Sequence, residues 1–223
     1  MKIGIIGAMD IEIELLKSKL ENMQTEYYKK TTCYTGTLFG KEIVLVRCGI
    51  GKVNAAAITQ YLITAYDITH IINIGIAGSL VGNINIGDTV VSNDLVHHDV
   101  DATVFGYELG QVARMDLAYK ADPTMLKIAS SINGTTVGRI ATGDSFISDM
   151  SKKAFIQTQF NALCTEMEGV AIAQTCHIND VPFIVIRSIS DNASGDAFAE
   201  FEKNMQEAVN VSTSIVEKLV KEI

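Results

Sequence analysis

The chain has 223 residues and, with 18 Lys and Arg against 26 Asp and Glu, a formal net charge of −8. Its composition, 48% hydrophobic and 20% charged with two prolines and no tryptophan, excludes a disordered or collagen-like chain and allows a sizeable core without disulfide or metal staples. The acidic balance argues against a nucleic-acid or anionic-membrane partner, and no apolar run reaches the ~18–20 residues that cross a bilayer.

Short apolar runs rich in Val and Ile predict strands buried on both faces over Lys2–Gly7, Glu42–Arg47, His70–Ile76, Asp88–Val96, Val137–Thr142 and Pro182–Ser190. Thr32–Leu38, turning through Phe39-Gly40-Lys41 into the Glu42 run, predicts a hairpin and hence a mixed sheet. Between the strands, Ile13, Leu16 and Leu20 fall on one helical stripe after Asp10, the expected N-cap. Further helices are expected over Val53–Ala65, Pro123–Ile132, Glu166–His177 and Phe198–Lys221, the last with Val209, Ser212, Val216 and Val220 facing the core. Alternation of strand and helix through the whole length predicts an α/β fold: one domain over 1–223, three αβα layers around a mixed, twisted sheet. The amino-terminal stretch turns acidic at Asp10, too early for a secretory segment, so a cytoplasmic protein is expected. The separated Cys33, Cys48, Cys164 and Cys176 contain no CxxC pair, and each is read as a small buried hydrophobe rather than a zinc ligand.

Several motifs fail on inspection. Gly49-Ile50-Gly51-Lys52 ends like a phosphate-binding loop, but Val46 stands where the first glycine belongs and Val53 where Ser or Thr would hold magnesium. Gly4-Ile5-Ile6-Gly7 has the wrong spacing for a dinucleotide site, and Gly143-Asp144-Ser145-Phe146 is no nucleophile elbow. His97-His98-Asp99 lies on a strand, where neighbours point to opposite faces, so a structural or hydrogen-bonding role is expected and no metal.

Carboxylates at strand ends remain. Ligands of open α/β sheets bind at the carboxyl ends of strands, and there Glu12 opens the first helix, Glu166 and Glu168 flank Met167 before an apolar helix, and Asp191 closes the last strand. Acids near helix N-termini gain only about 0.3–1 kcal/mol from the dipole. Arg187 inside a buried strand also demands anionic or oxygen partners. Two carboxyls facing one pocket suit glycosidic-bond cleavage, one protonating the leaving group and the other activating water.

These positions carry a resemblance. MKIGIIGAM with Glu12, Cys48-Gly49-Ile50-Gly51-Lys52-Val53-Asn54-Ala55-Ala56, the run His98 to Gln111 (HDVDATVFGYELGQ), Thr142-Gly143-Asp144-Ser145-Phe146-Ile147, Glu166-Met167-Glu168-Gly169 and Arg187-Ser188-Ile189-Ser190-Asp191-Asn192-Ala193 follow one another in order. The chain resembles, nearly end to end, the bacterial 5′-methylthioadenosine/S-adenosylhomocysteine nucleosidases of the purine nucleoside phosphorylase superfamily.

The resemblance implies that Asp191 protonates N7 of adenine and Glu12 holds and deprotonates water, while Glu168 accepts from the ribose 2′-hydroxyl and Met167 packs under the sugar. Phe146 would stack on the base while the Ile147 backbone reads its edge, and Met9, Ile50 and Phe198 would line the side of the 5′ substituent. Arg187 would support the carboxylates and water, and Gly78 and Ser190 complete the expected binding residues. Phe105 would reach the site of a partner in a homodimer. Asp191 must then be protonated near neutrality and Glu12 ionised, a state that a helix N-terminus favours. No cofactor or metal is implied. The implied reaction yields adenine and a thioribose, in methionine salvage, with 5′-deoxyadenosine as a further substrate.

Departures from the family pattern are Ile76 in place of a serine near the water, Ala113 and Asp116 in place of two loop prolines, Ala102 for a larger valine, and a shortened stretch from Asp191 to Phe198. Two other readings compete: a phosphate-dependent nucleoside phosphorylase, which needs a second cation besides Arg187, and an adenine-nucleoside-binding protein without turnover, prompted by Ile76.

Overall fold

A computed structural model describes all of residues 1–223. The first half runs β1 (Lys2–Gly7), α1 (Asp10–Lys17), β2 (Glu21–Tyr28), β3 (Thr31–Leu38), β4 (Lys41–Arg47), α2 (Lys52–Tyr66), β5 (His70–Ser79) and β6 (Thr89–His97). A 3-10 turn at Thr103–Phe105 leads on to β7 (Tyr119–Lys120), α3 (Pro123–Ser131) and β8 (Thr135–Thr142). The chain ends with α4 (Met150–Phe160), β9 (Cys164–Glu166), α5 (Gly169–Ile178), β10 (Phe183–Asp191) and α6 (Ala197–Glu222).

The Val/Ile runs form the sheet's centre because their residues alternate between two apolar layers. On one face Ile6, Val44, Val46 and Ile71 meet α2 and α5 through Ala55, Leu62, Val170 and Ile172. On the other Ile3, Ile5, Ile43, Leu45 and Ile72 meet Ile13 and Leu16 of α1, Met125 of α3 and Val216 and Val220 of α6. These are the expected three layers, and the sheet is mixed: β1, β4, β5 and β10 are parallel, while β6 runs antiparallel to β10. Part of the sheet also closes on itself. β5, β10, β6, β8 and β9 pair in a ring, from which β1, β4, β3 and β2 extend as an open wing.

The differences from the sequence reading have local causes. Met9, not Asp10, is the N-cap of α1, and Asp10 is its first helical residue. The helix stops at Lys17, and Leu20 reaches the core from the following loop. β2 lies outside the expected strands because its residues, ENMQTEYY, are exposed throughout and carry no apolar alternation. α4 buries only Ile156 and Phe160; its clearest signal is Asp149, whose carboxylate accepts from the Ser151 and Lys152 N–H groups as an N-cap. α5 begins at Gly169 rather than Glu166, since Glu166 closes the short β9.

Register places the candidate residues. Gly78 on β5 is paired with Asp191 of β10 on one side and Thr165 of β9 on the other, and Thr142 of β8 is paired with Glu166. The carboxyl ends of β5, β8, β9 and β10 therefore meet.

Candidate active site

Where those strand ends meet lies a cleft with about 630 Å³ of empty space, part of it open to solvent. Met9, Glu12, Ile50, Gly78, Phe146, Ile147, Met167, Glu168, Ser190 and Asp191 all line it. Phe198 does not, and neither do Arg187 and Phe105, whose expected places are beside the carboxylates and at a partner's site. Arg187 is fully buried beside the carboxylates rather than on the cleft wall. Phe198 points outward at 60% exposure, and Phe201, one turn further along α6, supplies a ring instead, edge-on to Phe146 at 5.9 Å between centroids. Phe105, 79% exposed, lies outside this cleft. Sequence reasoning misses Phe201 because the choice between two phenylalanines three residues apart depends on the rotation of α6.

Glu12 occupies the third position of α1, where its side chain turns back over the helix start. Its carboxylate accepts from the N–H groups of Ala8 (2.6 Å), Met9 (3.0 Å) and Ile76 (3.3 Å). Gly75 lets this happen, since a Cβ there would lie 2.8 Å from both Glu12 Oε1 and Arg187 Nη1. Burial pushes the Glu12 pKa up, against the opposing pull of Arg187 and the three N–H donors. The helix start and its N–H donors favour the ionised form, while the loss of water opposes it. A base whose affinity for protons rises toward neutrality is better matched to taking a proton from water.

Asp191 ends β10. One oxygen accepts from the Ser190 hydroxyl (2.8 Å) and the other from the Ala193 N–H (2.9 Å). Burial raises its pKa despite these donors, the direction expected of an acid. Gly78 must be glycine, because a Cβ there would stand 2.7 Å from Asp191 Oδ1.

Glu166, Glu168 and Arg187 form a third group. Arg187 Nη2 donates to Glu166 (2.6 Å) and to Asn73 Oδ1 (2.6 Å), and lies 3.9 Å from Glu168. Glu166 also accepts from the Thr142 hydroxyl and from the N–H groups of Glu168 (2.9 Å) and Gly169 (2.7 Å). Burial alone would raise the Glu166 pKa, but Arg187 and these donors bring it below the usual value. The Glu168 pKa is instead pushed up to about 8 by burial and the neighbouring Glu166 charge. Glu168 is thus protonated more readily in the folded than in the unfolded chain. Its contribution to stability is full below an unfolded pKa near 4.5 and is lost as pH rises through about 8. Glu12 and Asp191 act in the same direction. Between pH 5 and pH 8 the thermal midpoint of the unliganded protein should fall relative to that of Glu168→Gln; an identical pH dependence in the two proteins would contradict this assignment.

The Gly49–Lys52 turn, no nucleotide-cofactor loop, serves Glu168 instead: the Gly51 N–H donates to Glu168 Oε1 (2.9 Å). Gly51 does so at φ 97°, in a region that favours glycine. His97 pairs through Nε2 with Gln174 Oε1 (2.9 Å), a hydrogen-bonding role. No group of three or more His, Cys, Asp or Glu side chains could hold a metal ion. Cys33, Cys164 and Cys176 are buried free thiols as expected, while Cys48 is only half-buried. No helix is long and apolar enough to cross a membrane. No Lys or Arg lines the cleft.

The phosphorylase superfamily model matches residues 2–221. The chain is 47% identical to the 5′-methylthioadenosine/S-adenosylhomocysteine nucleosidase of Staphylococcus haemolyticus, over 98% of this chain and 99% of that one. It belongs to this nucleosidase family of the phosphorylase superfamily. The S-adenosylhomocysteine nucleosidase of Streptococcus pyogenes, solved in complex with 5-methylthiotubericidin, superposes with a TM-score of 0.97 at 42% identity, covering 100% of this chain and 97% of that one. Futalosine hydrolase of Helicobacter pylori superposes at 0.96 and 31% identity, covering 100% and 98%.

Ile76, named above as a departure from the family pattern, lies on the cleft wall. It packs with Ala208 and Val209 of α6, Met9 and Phe201, so this part of the cleft wall is apolar. Its backbone N–H donates to Glu12 (3.3 Å).

Proposed function

We propose that this chain hydrolyses the N-glycosidic bond of 5′-methylthioadenosine and S-adenosylhomocysteine, and of 5′-deoxyadenosine, releasing adenine and the corresponding sugar. The observation that carries the reading is a single cleft that brings Glu12 of α1 and Asp191 of β10 together, with no cationic side chain in its lining. Adenine leaves poorly as an anion, so proton donation by Asp191 to N7 is where an acid helps most. As the bond to the sugar lengthens, positive charge develops at the anomeric carbon and is met by water that Glu12 deprotonates. Glu168, beside Met167, is suited to accept from the ribose 2′-hydroxyl. Phe146 and the Ile147 backbone hold the base, with Gly78 and Ser190 beside the acid. Met9 and Ile50, now with Phe201 in place of Phe198, favour an apolar 5′ substituent. Arg187 acts from behind the cleft wall, as the buried counter-charge that keeps Glu166 ionised.

The same reading makes 1–223 one nucleosidase domain, working in the cytoplasm in methionine salvage. It is a homodimer in which the exposed Phe105 completes the partner's 5′ pocket, a role its exposed position suits. A phosphorylase needs cationic ligands for phosphate, and the cleft offers none; Arg47 is exposed and paired with Asp10 (3.1 Å).

Chromatography of products from methylthioadenosine, with and without phosphate, tests the proposal. Adenine and free methylthioribose should form at the same rate in both. A phosphorylated sugar formed only with phosphate would establish the phosphorylase instead, and release of base from futalosine alone would move the chain to a different substrate.

A further inference from the structure

The turn that follows Asp191 is gripped by two helices that contribute nothing else to the acid. Asn192 is the point of attachment. Its backbone N–H donates to Glu200 Oε2 of α6 (2.8 Å), and its side-chain amide donates to Glu200 Oε1 (3.0 Å). From the other side, Lys153 Nζ of α4 donates to the Asn192 carbonyl (2.6 Å). Asn204, one turn beyond Glu200, donates to the Ser190 carbonyl (3.3 Å). The residues on both sides of Asp191 are therefore tied to the same helix.

An acid in the first turn of a helix is usually explained by the dipole. Glu200 does not fit that explanation alone, because both its oxygens are engaged by Asn192. The next residue shows what the grip supports. Ala193 is fully buried at φ 47°, a left-handed conformation that a residue with a side chain keeps only when its surroundings impose it. In that conformation its N–H points at Asp191 Oδ1.

We propose that Glu200 and Lys153 are positioning residues: they hold the Asn192–Ala193 turn so that the Asp191 carboxyl faces the leaving base. The inference rests on the glycosidic hydrolysis proposed above. Neither residue lines the cleft, so neither touches substrate. Their charges also act on the acid in opposite senses, Glu200 favouring its protonated form and Lys153 opposing it. The other charged groups facing Asp191 are Glu12, Glu166 and Glu168 across the cleft, and these stay unchanged in the variants below.

Steady-state kinetics on methylthioadenosine across pH decide the matter. Glu200→Ala, which releases the turn, should lower kcat about ten- to a hundredfold with KM within about twofold of wild type, as expected for misorientation of a reacting group. Glu200→Gln keeps a carbonyl for the Asn192 N–H and removes the charge. It should retain most of kcat while the alkaline limb of kcat/KM moves to lower pH, because Asp191 then loses its proton more easily. Lys153→Met should move that limb to higher pH, and Lys153→Arg should restore the wild-type profile. If Glu200→Ala does not fold, the Gln, Met and Arg variants still give opposed shifts or fail to. Wild-type kcat and an unmoved limb in all of them would overturn the proposal, as would equal losses of kcat with no shift, the sign of a merely structural role. A wild-type enzyme that releases no adenine would instead sink the reaction on which the inference rests.

Discussion

Asp191→Asn should lose adenine release by at least about 10²–10⁴-fold, the typical contribution of a positioned acid, while remaining folded and still binding substrate. Asparagine has the same shape, and its carbonyl can still accept from the Ala193 N–H that now meets Asp191 Oδ1 at 2.9 Å. What it cannot do is carry a transferable proton. The raised pKa of Asp191 comes first from burial, and the cost of holding a charge there is relieved rather than increased by the amide. The thermal midpoint should therefore stay at or above that of the wild type when both are compared near neutral pH. Isothermal titration with methylthioadenosine should detect binding, and chromatography should show adenine forming at least about a hundredfold more slowly than with the wild type. Retention of wild-type turnover would remove Asp191 from the mechanism; loss of binding together with turnover would make it a binding residue only.

Arg187→Met carries the largest expected effect on stability. Arg187 is 1% exposed and is the counter-charge for the fully buried Glu166, with Glu168 and Glu12 within its field. Removing one member of a buried ion pair leaves the other uncompensated and costs about 3–5 kcal/mol. Since a domain is stable by only about 5–15 kcal/mol, this is a large share. For a chain of this size the midpoint should fall by roughly 6–20 °C. Methionine fills a similar volume, so the loss reports charge rather than a cavity. Combining it with Glu166→Gln, which removes the stranded charge, should recover part of the loss, whereas Arg187→Lys should recover little because an ammonium cannot reach Asn73 and Glu166 in the same geometry. Denaturant unfolding of the wild type, these three variants and Glu166→Gln alone checks this; additive losses in the double variant would show that the two side chains are not coupled.

The parts of the molecule that are legible in the sequence are those where one physical signal dominates. The strands of the centre are continuous Val/Ile runs because they are covered on both faces, and the core stripe of α6 through Val209, Ser212, Val216 and Val220 is fully buried as its spacing requires. Carboxyls at strand ends, and an arginine that could not be buried alone, mark the cleft without any knowledge of the fold. The rest requires tertiary information. β2 is held by pairing with β3 and not by burial, so no hydropathy pattern announces it. The choice of Phe201 over Phe198 depends on the rotation of a helix. Glu12 sits at a helix start, which favours its charge, yet burial raises its pKa, and burial is a property of the assembled cleft.

A crystal structure of the Asp191→Asn protein with methylthioadenosine bound would show the division of labour between acid and base without an intervening assumption. N7 of adenine is expected within hydrogen-bond distance of residue 191, and the Glu12 carboxylate on the opposite side of the glycosidic bond, with a water between it and the anomeric carbon. A nucleoside bound outside this cleft, or one with both carboxyl positions on the same side of that bond, would contradict the mechanism.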